Sequence, residues 1–132
     1  MKSFLKIATV GLLSVLLLAG CRTATVQNVE HQNVVANKKV TLDEVGDAVV
    51  RAGTGLGWVM KKKKPGHIVG SLFLRGHVAV VDITYDTKEY SINYNRSENL
   101  KYNPEDKTIH KNYNGWIKNL NSAIMSQLSA LQ

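Results

Sequence analysis

The stretch HVAVVDITYDTKEYSINYNR, residues 77–96, decides the fold. It contains two runs in which apolar and polar residues alternate, separated by the turn-forming residues Asp86, Thr87 and Lys88. Alternation with a period of two places every second side chain on the same face of a β-strand. The apolar positions are Ala79, Val81, Ile83 and Tyr85 in the first run, and Tyr90, Ile92 and Tyr94 in the second. The sequence therefore predicts an antiparallel hairpin with one apolar face.

Two further extended segments precede this hairpin. Trp58–Lys63 and Ile68–Arg75 are joined by the turn pair Pro65-Gly66, and Gly76 separates the second segment from His77. Turns of this kind connect neighbouring antiparallel strands. Together with strands at His77–Tyr85 and Glu89–Arg96, these segments predict a four-stranded antiparallel meander.

Helices are predicted on either side of the meander. Thr41 followed by Glu44 is a capping-box pattern, and apolar residues at helical spacing predict a helix over Leu42–Ala52. After a predicted loop at 99–108, a second apolar stripe predicts a helix to the C-terminus, formed by Trp116, Leu120, Ala123, Ile124, Leu128 and Leu131. We expect an α+β fold for residues 41–132, in which both helices pack on one sheet face.

The N-terminal segment has the organisation of an export signal. Lys2 and Lys6 precede an apolar stretch at 7–19, which is followed by the small residues Ala19 and Gly20 and then by Cys21. The stretch is too short for a permanent membrane-spanning helix. We interpret residues 1–20 as a signal peptide and residues 21–40 as a tether. The valines within residues 26–36 leave open an edge strand there.

The four residues Leu18-Ala19-Gly20-Cys21 resemble a bacterial lipobox. This resemblance implies that Cys21 receives a diacylglycerol, becomes the first residue after cleavage and is then acylated with a fatty acid such as palmitate. In similar Gram-negative lipoproteins, Asp after the cysteine is the usual signal for inner-membrane retention. Arg22 stands there instead, which favours the outer membrane, facing the periplasm.

Residues 75–103, RGHVAVVDITYDTKEYSINYNRSENLKYN, together with IHKNYNGWI at 109–117, resemble a group of small exported proteins and lipoproteins of proteobacteria. This resemblance implies a shared domain and an envelope location. It transfers no catalytic residue and no activity.

The net positive charge of the chain favours some classes of binding partner over others. The chain has 17 Lys and Arg against 10 Asp and Glu, and removal of the signal peptide with its two lysines leaves a formal charge of +5. A mildly basic surface favours anionic lipids or glycans. No nucleic-acid-binding motif, cofactor motif or metal-ligand spacing is present in the sequence, and an exported protein rarely meets nucleic acid.

Two groups of residues are candidate contact sites. The run Lys61-Lys62-Lys63-Lys64 is either a solvated strand end or a contact for an anionic envelope lipid or glycan. In the last strand, alternation places Ser91, Asn93 and Asn95 opposite the core, where their polar groups form a candidate ligand face.

Catalysis is the less favoured interpretation. A small hydrolase could use His77 or His110, with Arg75, Asp82 and Glu89 as partners, but the sequence has no recognisable nucleophile motif. We therefore expect a lipid-anchored envelope protein that acts as a non-catalytic binding or structural module, with its protein partner unknown. A periplasmic hydrolase and a surface antigen or adhesin that contacts glycans are the alternatives.

Overall fold

A computed structural model describes residues 22–132; the predicted signal peptide and Cys21 lie outside this range. None of the helices in these residues is long and apolar enough to span a membrane. The described elements, in chain order, are β1 (Thr23–Thr25), β2 (Val29–Asn33), α1 (Leu42–Gly55), β3 (Val59–Lys64), β4 (His67–Leu74), β5 (His77–Tyr85), β6 (Glu89–Glu98), β7 (Thr108–His110) and α2 (Asn112–Ser129).

The main sheet has five antiparallel strands in the order β2-β6-β5-β4-β3. Strands β3 to β6 are neighbours in chain order, as expected for a meander. The α+β class is therefore confirmed, but the predicted four-stranded sheet is one strand short, because β2 pairs with the free edge of β6. A second, two-stranded sheet is formed by β1 and β7.

Residues 22–40, expected as part of a tether, contain β1 and β2, two of the three strands that were not predicted; the third, β7, begins at the end of the predicted loop 99–108. Val29 pairs with Ile92 on the apolar side of the sheet. β2 is therefore an edge strand, the alternative that the valines within residues 26–36 had left open. The backbone N–H of Val26 donates to the carbonyl of Lys107, so the chain between the two strands is also held. Alternation is weak in this segment, and only pairing with distant strands defines its structure.

Helix α1 begins where the capping box predicts. The Thr41 hydroxyl accepts the Glu44 N–H at 3.2 Å, and the Glu44 carboxylate accepts the Thr41 N–H at 3.1 Å. The helix ends at Gly55, three residues later than expected. Gly57, with φ of 90°, then redirects the chain into β3 through a backbone conformation that favours glycine.

Both helices contact the same face of the main sheet. Tyr85 and Tyr90 are paired across β5 and β6 and therefore lie on one face. Gly46 of α1 lies against Tyr85, and the Tyr90 hydroxyl donates to the side-chain carbonyl of Asn121 in α2. The core between the helices and this face includes Val45, Val49, Ile68, Val81, Ile83, Ile92, Leu120, Ile124 and Leu128.

The stripe of α2 that faces the core agrees with the predicted one at Leu120, Ile124 and Leu128 and differs from it in the first turns of the helix. Its buried residues are Tyr113, Ile117, Leu120, Ile124 and Leu128. Trp116, expected to press on the sheet, is only half-buried and lies 6.4 Å from the His77 ring, measured between ring centres. The helix begins at Asn112, so its first turn can present Tyr113 to the core and moves Trp116 toward the edge.

Two glycines of α1 provide a matched test of this packing. A Cβ atom at Gly46 would lie 2.5 Å from the Tyr85 hydroxyl, whereas one at Gly55 meets nothing within 4 Å. Gly55→Ala should raise the free energy of unfolding by about 0.5–1 kcal/mol through helix propensity. Gly46→Ala should lower it by about 1–3 kcal/mol because Tyr85 is displaced. Urea unfolding of both variants measures this, and equal stabilisation by the two would show that α1 does not pack against Tyr85.

Candidate functional site

The sheet face opposite the helices has a polar network at its centre. Asp82 accepts hydrogen bonds with both carboxylate oxygens, contacting His67 Nε2 at 2.8 Å and Asn95 Nδ2 at 2.9 Å. Asn95 is the extra residue of a bulge in β6, because Val81 pairs with Tyr94 and Val80 with Arg96. The bulge turns the Asn95 amide toward Asp82, so these three side chains satisfy one another.

Most of the predicted ligand face is engaged within the protein. Ser91 Oγ accepts the backbone N–H of His31 at 3.0 Å, and Asn95 is held by Asp82. Asn93 pairs directly with Asp82 across the strands and makes no side-chain hydrogen bond within residues 22–132. Ser91, Asn93 and Asn95 thus lie on the sheet face opposite the helices, which we call the open face. Ser91 and Asn95 help to hold the sheet together.

A second histidine–carboxylate pair fastens the edge strand β2. His31 Nδ1 lies 2.9 Å from a carboxylate oxygen of Glu89 in β6. The hydrogen bond with Glu89, assisted by the charge of that carboxylate, raises the pKa of His31. This pair is exposed, so solvent and salt reduce its contribution to stability.

The lysine run occupies the edge strand β3 and the tip that follows it. All four ammonium-bearing residues, Lys61 to Lys64, are exposed. Lys62 points toward α1, where its Nζ lies 2.5 Å from the Asp47 carboxylate, and this hydrogen bond raises the pKa of Lys62. The charge of one of the four lysines is therefore compensated by Asp47 of α1.

His77 and His110 each support a loop. His77 Nδ1 lies 2.6 Å from the carbonyl oxygen of Asn99, and His110 Nδ1 accepts the backbone N–H of Asn112 at 3.2 Å. The proposed acid partners Asp82 and Glu89 are paired with other histidines. The hydrolase constellation that sequence reasoning considered is thus not assembled by these contacts.

The tyrosines of β6 belong to the core side, as alternation predicts. Burial raises the pKa of Tyr90 to about 12 and also raises the pKa of Tyr113. Tyr94 stacks on Tyr102, with 4.2 Å between ring centres, and meets Tyr113 edge-on at 5.8 Å. These rings therefore stabilise the connection between β6, the following loop and α2.

A cleft of about 340 Å³ lies between the β1–β2 connection and α2. Lys118 and the apolar residues Val29 and Ile117 line it together with four amide side chains, which are those of Gln27, Asn28, Asn114 and Asn121. Its volume falls within the range of about 300–1,000 Å³ that is typical of ligand sites. We call this region the amide cleft.

Hydrogen bonds fix part of the amide cleft and leave part available. Asn114 accepts the Gln27 N–H at 3.0 Å and donates to the Thr25 carbonyl at 2.9 Å. Asn28 accepts the Tyr94 N–H at 2.9 Å. Within the described residues, the Gln27 amide and the Lys118 ammonium make no side-chain hydrogen bond. These hydrogen bonds thus hold the lining of the cleft in place, while the Gln27 amide and the Lys118 ammonium remain available to a ligand.

The amide cleft could not be predicted from the sequence because the residues that line it are distant in the chain. Gln27 and Asn28 fall in the predicted tether, while Asn114 and Lys118 lie in the first turns of α2. The amide-rich composition of 27–33 and 112–121 was the available signal, but composition does not predict that the two segments meet.

Comparisons with protein-family models, curated proteins and solved structures found no match to this chain. In the part of the chain that the structure describes, no group of three or more His, Cys, Asp or Glu residues is placed to hold a metal ion.

The pKa of His31 gives a pH-dependent prediction. A raised pKa in the folded state means that protonated His31 stabilises the fold below pH about 6.5, the ordinary value, and that this contribution disappears as pH rises through the folded-state pKa. An NMR titration of the His31 ring should give a midpoint above 6.5 in the native protein. Glu89→Gln should return it toward 6.5, whereas identical midpoints would contradict the pairing.

Proposed function

We propose that this chain is a lipid-anchored protein of the bacterial cell envelope whose domain binds a partner without catalysis. The observation that carries the proposal is the lipobox-like LAGC, 18–21, at the end of a basic and then apolar N-terminal segment. A diacyl lipid with a further acyl chain provides a stable membrane anchor. Arg22 in place of an aspartate supports the outer membrane, with the domain in the periplasm.

The amide cleft supports a binding role. Amide groups offer donors and acceptors in fixed positions, and the half-buried Val29, which also lines the cleft, can contact the carbon face of a ligand. A hydroxyl- and amide-rich polymer matches this lining, and envelope glycans have that chemistry. On the cell surface the same cleft would make the protein a glycan-binding adhesin.

Catalytic use of the histidines is the weaker alternative. His77 and His110 each bond to backbone groups, and the imidazoles of His31 and His67 bond to carboxylates. Within residues 22–132, none of these four rings is hydrogen-bonded to a hydroxyl group that could serve as a nucleophile.

Lipidation is tested directly at Cys21. Cells that express the native protein should incorporate labelled palmitate into it, and Cys21→Ser should abolish the label because the thiol is the attachment point. Mass spectrometry of the N-terminal peptide provides the second readout. Equal labelling of the two proteins would contradict the lipoprotein assignment, and co-fractionation with inner-membrane markers would contradict the outer-membrane location.

Ligand binding is tested in the amide cleft with the full mature protein in detergent micelles. Soluble peptidoglycan oligosaccharides serve as the probe, and calorimetry measures their affinity. The double variant Gln27→Ala/Lys118→Ala removes the two polar side chains of the cleft that make no hydrogen bond within the described residues, so affinity should fall about tenfold or more, at about 1 kcal/mol per lost hydrogen bond. Asn119→Ala changes the next residue on α2 outside the cleft and should leave affinity unchanged. Absence of binding by the native protein would contradict a glycan-binding cleft.

A further inference from the structure

The folded domain begins immediately after the proposed lipid attachment point. The Arg22 carbonyl accepts the backbone N–H of Lys111 at 3.1 Å, and β1 starts at Thr23. Consecutive Cα atoms are about 3.8 Å apart across a trans peptide. An acylated Cys21 would therefore have almost no slack between the lipid and the fold, and the lipid would select which end of the domain meets the membrane. This inference rests on the proposed lipidation.

Hydrogen bonds join four chain segments at that end. Besides the contact between Lys111 and Arg22, the His110 N–H donates to the Leu100 carbonyl at 2.8 Å. Loop 99–101 is in turn joined to the β4–β5 turn, since Asn99 contacts both His77 and the Gly76 carbonyl. We call this surface the anchor end; it comprises Arg22 and residues 73–77, 99–101 and 110–111.

The anchor end is cationic. Arg22, Arg75, Lys101 and Lys111 are exposed, and none of them forms an ion pair within the described residues. Glu98 lies nearby at the end of β6, and its carboxylate contacts Arg96 at 3.5 Å. Each cation near an anionic bilayer surface is attracted to the lipid headgroups, and the attraction weakens within a Debye length.

The same end also exposes apolar side chains. Phe73 is 63% exposed and Leu74 is 41% exposed, directly before Arg75. Leu74 lines a groove of about 140 Å³ together with Leu56 and the half-buried Trp116. Large apolar side chains beside cations are the combination found at membrane–water interfaces.

We propose that the anchor end docks on anionic phospholipid headgroups, with Phe73 and Leu74 entering the interfacial layer and the four cations contacting phosphates. The opposite end then faces away from the bilayer. His77 and Tyr85 are the two ends of β5, and eight steps of about 3.3 Å separate them by about 26 Å. The β5–β6 turn and the tip after the lysine run lie at this far end, because the Tyr85 N–H donates to the Gly66 carbonyl.

The test uses the full lipidated chain in vesicles of phosphatidylethanolamine and phosphatidylglycerol. Cys21 is the only cysteine and its thiol is occupied by lipid, so Phe73→Cys or Thr87→Cys provides a single labelling site. An environment-sensitive dye at Phe73→Cys should be quenched by spin-labelled lipids. The same dye at Thr87→Cys, in the turn at the far end, should remain in water.

Charge is tested with two variants that remove the same number of cations. In the Phe73→Cys background, Arg75→Gln/Lys101→Gln/Lys111→Gln should reduce quenching, while the short link to the lipid keeps it above the Thr87→Cys level. Lys61→Gln/Lys63→Gln/Lys64→Gln should leave quenching unchanged, since these residues lie away from the anchor end. Far-UV circular dichroism and urea midpoints confirm that each variant is folded.

The outcomes separate this inference from the proposed function. A lipidated N-terminal peptide, read by mass spectrometry, together with an unquenched dye at Phe73→Cys overturns the docking alone. Quenching at Thr87→Cys instead, abolished by the lysine-run variant, reverses the orientation and also overturns it. An unlipidated peptide overturns the anchored function and the docking that depends on it.

Discussion

The register between β5 and β6 is the constraint on which the rest of the structure depends. Asp86 sets it, because its carboxylate accepts the N–H groups of Lys88 and Glu89 at 2.7 and 2.8 Å and closes the turn. These bonds hold the pKa of Asp86 below its ordinary value. In this register Ile83 meets Ile92 on the apolar face. A slip of one residue would move these side chains to the open face and leave both helices without a surface to cover.

Antiparallel pairing also separates the two ends of the domain. The turn after β4 lies at one end of the domain, together with Arg22 and Lys111. The turns after β3 and β5 lie at the other end. A lipid attached beside Arg22, as proposed above, would therefore give the two ends different environments. In this arrangement Lys61–Lys64 belong to the end that faces away, where lysines on the exposed edge strand β3 also discourage pairing with another sheet.

The candidate binding surfaces differ in how much of their polarity remains available. On the open face, Asp82 is occupied by His67 and Asn95, so that network is best regarded as a device that holds the bulged strand. In the amide cleft, Asn114 is hydrogen-bonded to the backbone of Thr25 and Gln27. The side chains of Lys118 and Gln27 make no hydrogen bond within the described residues. Availability, more than polarity, is what distinguishes the cleft as the proposed ligand site.

The sequence by itself determined the local elements: alternation defined the strands at 77–85 and 89–96, and the Thr41–Glu44 capping box defined the start of α1. These signals depend on neighbours within about one turn or one hairpin, so they can be read from a short window. Only the tertiary structure decided the position of β2, the bulge at Asn95, the rotation of α2 that half-buries Trp116, and the amide cleft. The bulge lies within the β5–β6 hairpin, but no break in alternation marks it in the sequence. The other three arise from contacts between segments tens of residues apart, whose meeting depends on the packing of the whole sheet and not on any local pattern.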